Sequence, residues 1–218
     1  MQDSAEARRY RSEMVENQLR RRGITDKVLL DAFEKVPRHF FCPAGISLAD
    51  AYGDFPLAIG EGQTISQPVM VASMTEQLQL EGGERILEVG TGSGYQAAIL
   101  AWICKEVYTI ERHSGLAERA RSTLEKLGLD NVHVKTGDGT EGWRENAPFD
   151  GIIVTAATPD VPGPLKEQLN DGARLVVPIG SHGMQQLTII IRQGDKYDTQ
   201  RAEQCAFVPL VGRYGWSA

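Results

Sequence analysis

From residue 85 onward, the apolar and polar positions switch between two rhythms. Short apolar runs with a β bias recur at RILEV (85–89), EVYTIE (106–111), VHVKTGD (132–138), FDGIIVTAA (149–157) and ARLVVPIG (173–180). Between the early runs lie stretches of helical character: YQAAILAWIC after the first, and SGLAERARSTLEKLG (114–128), closed by Gly128, after the second. Pro162 and Pro164 suit the first turn of a further helix running to about Leu169. QQLTIIIRQ (185–193) and AEQCAFVPLV (202–211) flank the polar turn GDKYDTQ and read as an antiparallel hairpin. Strands alternating with helices predict an α/β fold, doubly wound, with a mostly parallel sheet covered on both faces.

Upstream of residue 82 the pattern is helical. Residues 4–22 read as one polar helix ended by Gly23. Thr25 is placed to cap the next helix, TDKVLLDAFEKV, with Ile24 and Leu29 as a hydrophobic staple and Pro37 as its stop. Residues 38–68, with prolines at 43, 56 and 68, read as loop, and VMVASMTEQLQL (69–80) as helix. The arginines at 8, 9, 11, 20, 21 and 22 are interleaved with glutamates, which favours a solvated helix face over a phosphate- or RNA-binding patch.

Composition narrows the function classes. The chain has 218 residues, 41% of them hydrophobic and 24% charged, which fits one sizeable globular domain. No apolar run approaches the ~20 residues of a bilayer span, and the polar N-terminus lacks the apolar core of a signal peptide. A cytoplasmic protein without membrane association is expected. The three cysteines and four histidines are scattered without metal-ligand spacing, so reduced buried thiols and no metal are expected. A net charge of −6 opposes a general nucleic-acid binder. The absence of heptads and the polar first helix predict a monomer.

The chemistry concentrates at ILEVGTGSGY, which reads as strand, turn, helix. In such sheets ligands bind at the carboxyl ends of strands, near the point where strand order reverses. Gly90, Gly92 and Gly94 are spaced G-x-G-x-G, and Tyr95 stands where a dinucleotide fingerprint needs its third glycine. The Gly-Lys-Ser/Thr of a P-loop is absent. Three acids fall at three consecutive strand ends. Glu88 lies just before the loop and could attract a cation such as an amino group. Glu111 stands where an acid holds ribose hydroxyls, and Asp138-Gly139 stands where a purine edge would come. An adenosine ligand without phosphates suits this set.

EVGTGSGYQAAILA with VYTIER and GDG resembles the class I S-adenosylmethionine-dependent methyltransferases. With GEGQTISQP upstream and FVPLVGRYGW at the end, residues 10–216 resemble the protein-L-isoaspartate O-methyltransferase family. That resemblance implies a Rossmann-like seven-stranded sheet, an N-terminal helical extension and a C-terminal β-hairpin, with the last strands rearranged in a family-specific order. It implies a single domain over 1–218, with the substrate and active-site loop in 1–80 and the cofactor-binding core in 81–218. The implied cofactor is S-adenosyl-L-methionine, leaving as S-adenosyl-L-homocysteine, and the implied substrates are isoaspartyl-damaged proteins and peptides. The glycines, with Glu88 nearby, would line the methionine end. Glu111 would hold the ribose, and Asp138 and Gly139 would meet the adenine. Thr64, Ile65 and Ser66 match the family's Thr-Ile-Ser signature, whose serine is the active-site residue. Pro209, Leu210 and Val211 match a C-terminal segment near cofactor and substrate, with Val211 where some relatives have threonine. Without the resemblance, Ser66 reads as an N-cap of the following helix. The alternatives are a methyltransferase of the same fold acting on a small metabolite or nucleic acid, and a cofactor-binding interaction module without catalysis.

Overall fold

The computed structural model describes residues 3–217. The N-terminal layer begins with α1 (Ala5–Met14), capped by the Ser4 hydroxyl, which accepts from Ala7 N at 3.1 Å. The helical path continues through a π turn at Val15–Leu19 and a 3-10 turn at Arg20–Arg22, and Gly23 ends it at φ +91°. The arginine face is paired within the chain: Arg9 to Glu13 and Arg20 to Glu16 one turn apart, Arg11 to Asp3, and Arg22 to Asp54. α2 (Lys27–Lys35) is capped by Asp26 rather than Thr25; the Asp26 carboxylate takes both Val28 N and Leu29 N, which a threonine one residue earlier cannot reach. Ile24 and Leu29 are both buried, as expected.

Residues 38–68 are more ordered than their composition predicts. They hold a 3-10 turn at Arg38–Phe40, the short α3 (Leu48–Ala51) and a hairpin of β1 (Leu57–Gly60) and β2 (Gln63–Ile65). Strands of four and three residues are too short to carry a readable alternation. α4 (Pro68–Leu78) follows, with Pro68 in its first turn.

The remaining elements are β3 (Arg85–Val89), α5 (Tyr95–Ile103), β4 (Glu106–Glu111), α6 (Ser114–Lys126), β5 (Val132–Thr136), β6 (Phe149–Val154), α7 (Gly163–Glu167), β7 (Leu169–Ser181), β8 (Met184–Gln193) and β9 (Lys196–Cys205). They form a seven-stranded sheet of order β5-β4-β3-β6-β7-β8-β9. The first five strands are parallel and the last two antiparallel. The last strands thus add outward in chain order. The predicted hairpin exists, but its second arm is 196–205 rather than 202–211, because the turn tightens to Gly194-Asp195.

Alternation along β3 splits the core. Ile86 joins the cluster beneath α4, α5 and the N-terminal helices, whereas Leu87 and Val89 join the cluster on the α7 side. Strand order reverses between β3 and β6, the switch point of the fold. Val89 is in register with both Ile110 and Val154. The backbone leaving β3, β4 and β6 therefore emerges together, at Gly90, Glu111 and Thr155. Among the described residues, no helix is long and apolar enough to cross a membrane, and no group of His, Cys, Asp or Glu could hold a metal ion.

Candidate functional site

Two cavities open at the switch point, on either side of a shared wall made by Thr64, Gly90, Gly92 and Thr155. The wall is built by close approach. Gly90 sits at φ +102°, and a Cβ there would lie 2.4 Å from Thr155 Oγ1. That hydroxyl donates to Gly90 O at 2.6 Å, so β6 holds the glycine turn directly. Any side chain at 90 would break both the turn and this bond.

The first cavity, of about 420 Å³, is lined by Ile65, Ser66, Glu88, Thr91, Tyr95, Gln96 and Phe207 besides the shared wall. Glu88 lies within β3, just before the loop as expected, and is fully buried. Its Oε2 accepts from Thr109 Oγ1 at 2.5 Å, and the Thr109 hydroxyl also meets Thr91 Oγ1 at 2.6 Å. Its Oε1 has no partner. Burial pushes the Glu88 carboxyl up to about 8, the Thr109 bond opposes this, and the Glu111 charge adds to it. Glu88 is thus a neutral acid at neutral pH in the ligand-free protein.

Ser66 does not cap α4. The cap position is Gln67, with no side-chain cap bond, and Pro68 occupies the first turn, where the missing N–H costs nothing. Among the described residues, the Ser66 hydroxyl has no hydrogen-bond partner. It lines both the first cavity and an open groove that runs past Gln67, Met70, Met184 and Phe207.

The second cavity, of about 530 Å³, is lined by Ile110, Glu111, Arg112, Gly139, Pro209, Leu210 and Val211. The Glu111 carboxylate takes Gly92 N at 2.8 Å on Oε2 and His113 N at 2.9 Å on Oε1. The acid is locked in place by both flanking loops and keeps lone pairs for a ligand. Leu210 N donates to Ala157 O at 2.7 Å, which ties the C-terminal strap to the segment leaving β6.

Two expected residues stand elsewhere. Gly94 is absent from both cavity walls; it starts α5 at φ +90°, and a Cβ there would lie 3.2 Å from Ala120 Cβ in α6. There it packs the start of α5 against α6. Asp138 is also behind the wall. Oδ1 accepts from Thr140 N and Oγ1, and Oδ2 accepts from Arg213 N at 2.7 Å. Burial would raise this carboxyl, but the bonds from Arg213 and Thr140 and the Arg112 charge outweigh it and hold it below its ordinary range. Asp138 therefore staples the C-terminal turn, while Gly139 faces the second cavity. Among the lining residues that escaped sequence reading are Thr155, Gln96 and Phe207. Thr155 follows the strand beside β3 and was open to the rule that ligands sit at strand carboxyl ends. Gln96 and Phe207 carried no signal.

An adenosine joined to an amino acid fits this donor set. Glu111 can accept from ribose hydroxyls, the apolar strap of Leu210 and Val211 faces a flat ring, and the orphaned Glu88 Oε1 awaits a polar partner. The family model for protein-L-isoaspartate(D-aspartate) O-methyltransferase matches residues 9–215. A Syntrophotalea carbinolica protein-L-isoaspartate O-methyltransferase is 54% identical over 204 residues, covering 93% of this chain and 94% of its own. One from Geobacter metallireducens is 55% identical over 207 residues, covering 94% and 95%. A solved protein-L-isoaspartate O-methyltransferase superposes with a TM-score of 0.86 at 29% identity, over 94% of this chain and 67% of that one. A Plasmodium falciparum β-aspartate methyltransferase in complex with S-adenosyl-L-homocysteine superposes with a TM-score of 0.80 at 26% identity, over 92% and 98%.

Proposed function

The chain belongs to the protein-L-isoaspartate(D-aspartate) O-methyltransferase family, and on that premise we propose a division of labour among its site residues. The enzyme transfers a methyl group from S-adenosyl-L-methionine to the free carboxylate of L-isoaspartyl residues in damaged proteins and peptides. S-adenosylmethionine supplies, when bound, an electrophilic methyl group on a sulfonium whose leaving group is a neutral thioether. A metabolite or nucleic-acid methyltransferase, or a module without catalysis, is set aside by the family match along nearly the whole chain.

In our assignment Glu111 and the strap of Leu210 and Val211 hold the nucleoside in the second cavity, with Gly139 at its far wall. Gly90, Gly92, Thr64, Ile65 and Glu88 hold the amino-acid end in the first. Ser66 orients the acceptor carboxylate. The observation that carries this last role is the unpartnered Ser66 hydroxyl at the junction of the first cavity and the open groove. The groove brings a peptide past this free hydroxyl donor on the cavity rim.

A substrate carboxylate with a pKa near ~4 is already ionised at neutral pH, so no general base is required. No histidine lines the first cavity, and no lysine or arginine does either. A cation there would hold the carboxylate too tightly in the ground state. A neutral hydroxyl orients it without that cost. Positioning of the two reactants is worth up to roughly 7–11 kcal/mol of barrier in favourable cases. The rigid wall of Gly90 and Thr155 supplies that positioning.

The same proposal treats 1–218 as one domain, with 1–80 carrying the substrate loop, and as a cytoplasmic monomer that binds no nucleic acid. The net charge of −6 and the internally paired arginines of the first helix support the last point. The test offers a synthetic isoaspartyl peptide and its aspartyl twin with methyl-labelled cofactor. Label should enter only the isoaspartyl peptide. Label in neither, with cofactor bound, would overturn the assignment.

A further inference from the structure

The first cavity holds a group that catalysis by position does not use. Glu88 is completely buried, lines the cavity and has one carboxyl oxygen without any partner. Neither protonation state satisfies it in the ligand-free protein. As a carboxylate it has one hydrogen bond, from Thr109, and no counter-ion; as an acid its O–H can donate to Thr109 Oγ1, which passes its own proton to Thr91, but Oε1 still has no donor. The site is built for a ligand group that completes it.

The charges around it decide what that group is. From β4 the nearest ionisable neighbour is Glu111, itself acidic. β6 offers only Ile153 in register. α5 presents Tyr95 and Gln96, and α4 presents the apolar Val71 and Met74; the Gln96 amide donates to Thr75 Oγ1 at 2.9 Å. The Tyr95 phenol is held neutral by burial, and its ring is covered by the Arg38 guanidinium at 4.8 Å, which does not line the cavity. β2 presents Thr64, and the segment after it presents Ser66. Among the described residues no basic side chain lines this cavity, so a cationic ligand group would be the counter-ion of Glu88.

Resting on the cofactor reading above, we propose that binding of the cofactor's ammonium end expels one proton from the protein, and that the proton comes from Glu88. The Glu88 O–H bond breaks with its electron pair left on the carboxylate, and the proton goes to the buffer. The ligand ammonium keeps its three protons and becomes the counter-ion. Cofactor affinity is then tied to pH. It rises about tenfold per unit up to roughly the carboxyl's ligand-free midpoint, near 8, and falls at higher pH, where the ligand's own ammonium loses its proton.

The experiment is titration calorimetry with S-adenosyl-L-homocysteine at pH 7 in buffers of different ionisation enthalpy. The slope of the observed enthalpy against buffer enthalpy counts protons. We expect a release close to one, falling toward zero above about pH 9. 5′-Methylthioadenosine, which lacks the amino-acid end, should release none. Glu88→Gln should abolish the release while still binding the ligand more weakly. A zero slope or proton uptake overturns the proposal, as does a release that survives in Glu88→Gln, because the proton then comes from the ligand. Where Glu88→Gln does not fold, Thr109→Val decides. It removes the donor that favours the carboxylate, so proton release should persist to higher pH; an unmoved curve overturns the proposal. Failure of S-adenosyl-L-homocysteine to bind the wild type at all would instead sink the cofactor reading itself.

Discussion

Replacing Glu88 by glutamine should make the ligand-free protein more stable at alkaline pH, and the size follows from burial. The carboxyl is fully buried and moves from an ordinary 4.5 to about 8 on folding. A raised folded value means the native state binds more protons than the unfolded chain between these limits. Native stability is therefore fully present below about 4.5 and is lost as pH rises through about 8. Each unit is worth ~1.36 kcal/mol, so the loss approaches about 5 kcal/mol. Glutamine keeps an acceptor for the Thr109 hydroxyl but cannot ionise, so it escapes the loss. The assay is urea unfolding of both proteins without ligand, at pH 5 and pH 9, with equal m-values as the check on two-state behaviour. All other titrating groups are common to both proteins and cancel in the difference. The variant's stability relative to wild type should increase by several kcal/mol between the two pH values. A difference that does not change with pH would refute the neutral buried acid, whatever its sign.

Other predictions follow from the same geometry. Ser66→Ala should cut turnover strongly and leave the dissociation constant for S-adenosyl-L-homocysteine nearly unchanged, because the hydroxyl has no bond to the protein; an equal loss in both would reassign it to the fold or the cofactor. Glu111→Ala should raise that constant by more than tenfold in calorimetry, as expected for losing a charged hydrogen bond worth ~1.5–3 kcal/mol and the anchor of Gly92 N. Gly94→Ala should cost about 1–2 kcal/mol in urea unfolding from its left-handed backbone alone, with extra cost from the 3.2 Å approach to Ala120. If it instead weakened ligand binding without loss of stability, Gly94 would belong to the cavity after all.

The centre of the sheet was legible because β3 and β6 are buried on both faces and read as apolar runs punctuated by glycine. The site was legible only where residue type alone sets position. Glu111 ends its strand, and there an acid can do little but face the crevice. Gly90 and Gly94 look alike in a G-x-G-x-G spacing, yet one packs on Thr155 and the other on Ala120. Spacing cannot separate a glycine needed by a ligand wall from one needed by a helix crossing. The bonds of Asp138 were illegible for a different reason: besides nearby Thr140, the donor on its carboxylate is the backbone N–H of Arg213, 75 residues away. Glu88 was placed correctly within the strand 85–89, but its complete burial carried no signal, because an acid near a strand end reads as facing solvent or ligand.

The misplaced hairpin arm shows how little is needed to make a site wall from a strand. The run AEQCAFVPLV has the composition to continue pairing with β8, yet β9 ends at Cys205, opposite Gln185. The next donor along the chain, Phe207 N, is taken by the Gln185 side-chain oxygen at 2.8 Å instead of by a strand carbonyl. Gln185 is itself buried and fixed by its amide, which donates to Ser181 O at 2.6 Å. That one side chain substitutes for the ladder and releases the backbone from it. Phe207 then reaches the groove beside Ser66, and Leu210 pairs with Ala157 over the second cavity. The apolar character that made 207–211 look like strand is retained for another purpose. It now covers the ligand cavities rather than the neighbouring strand.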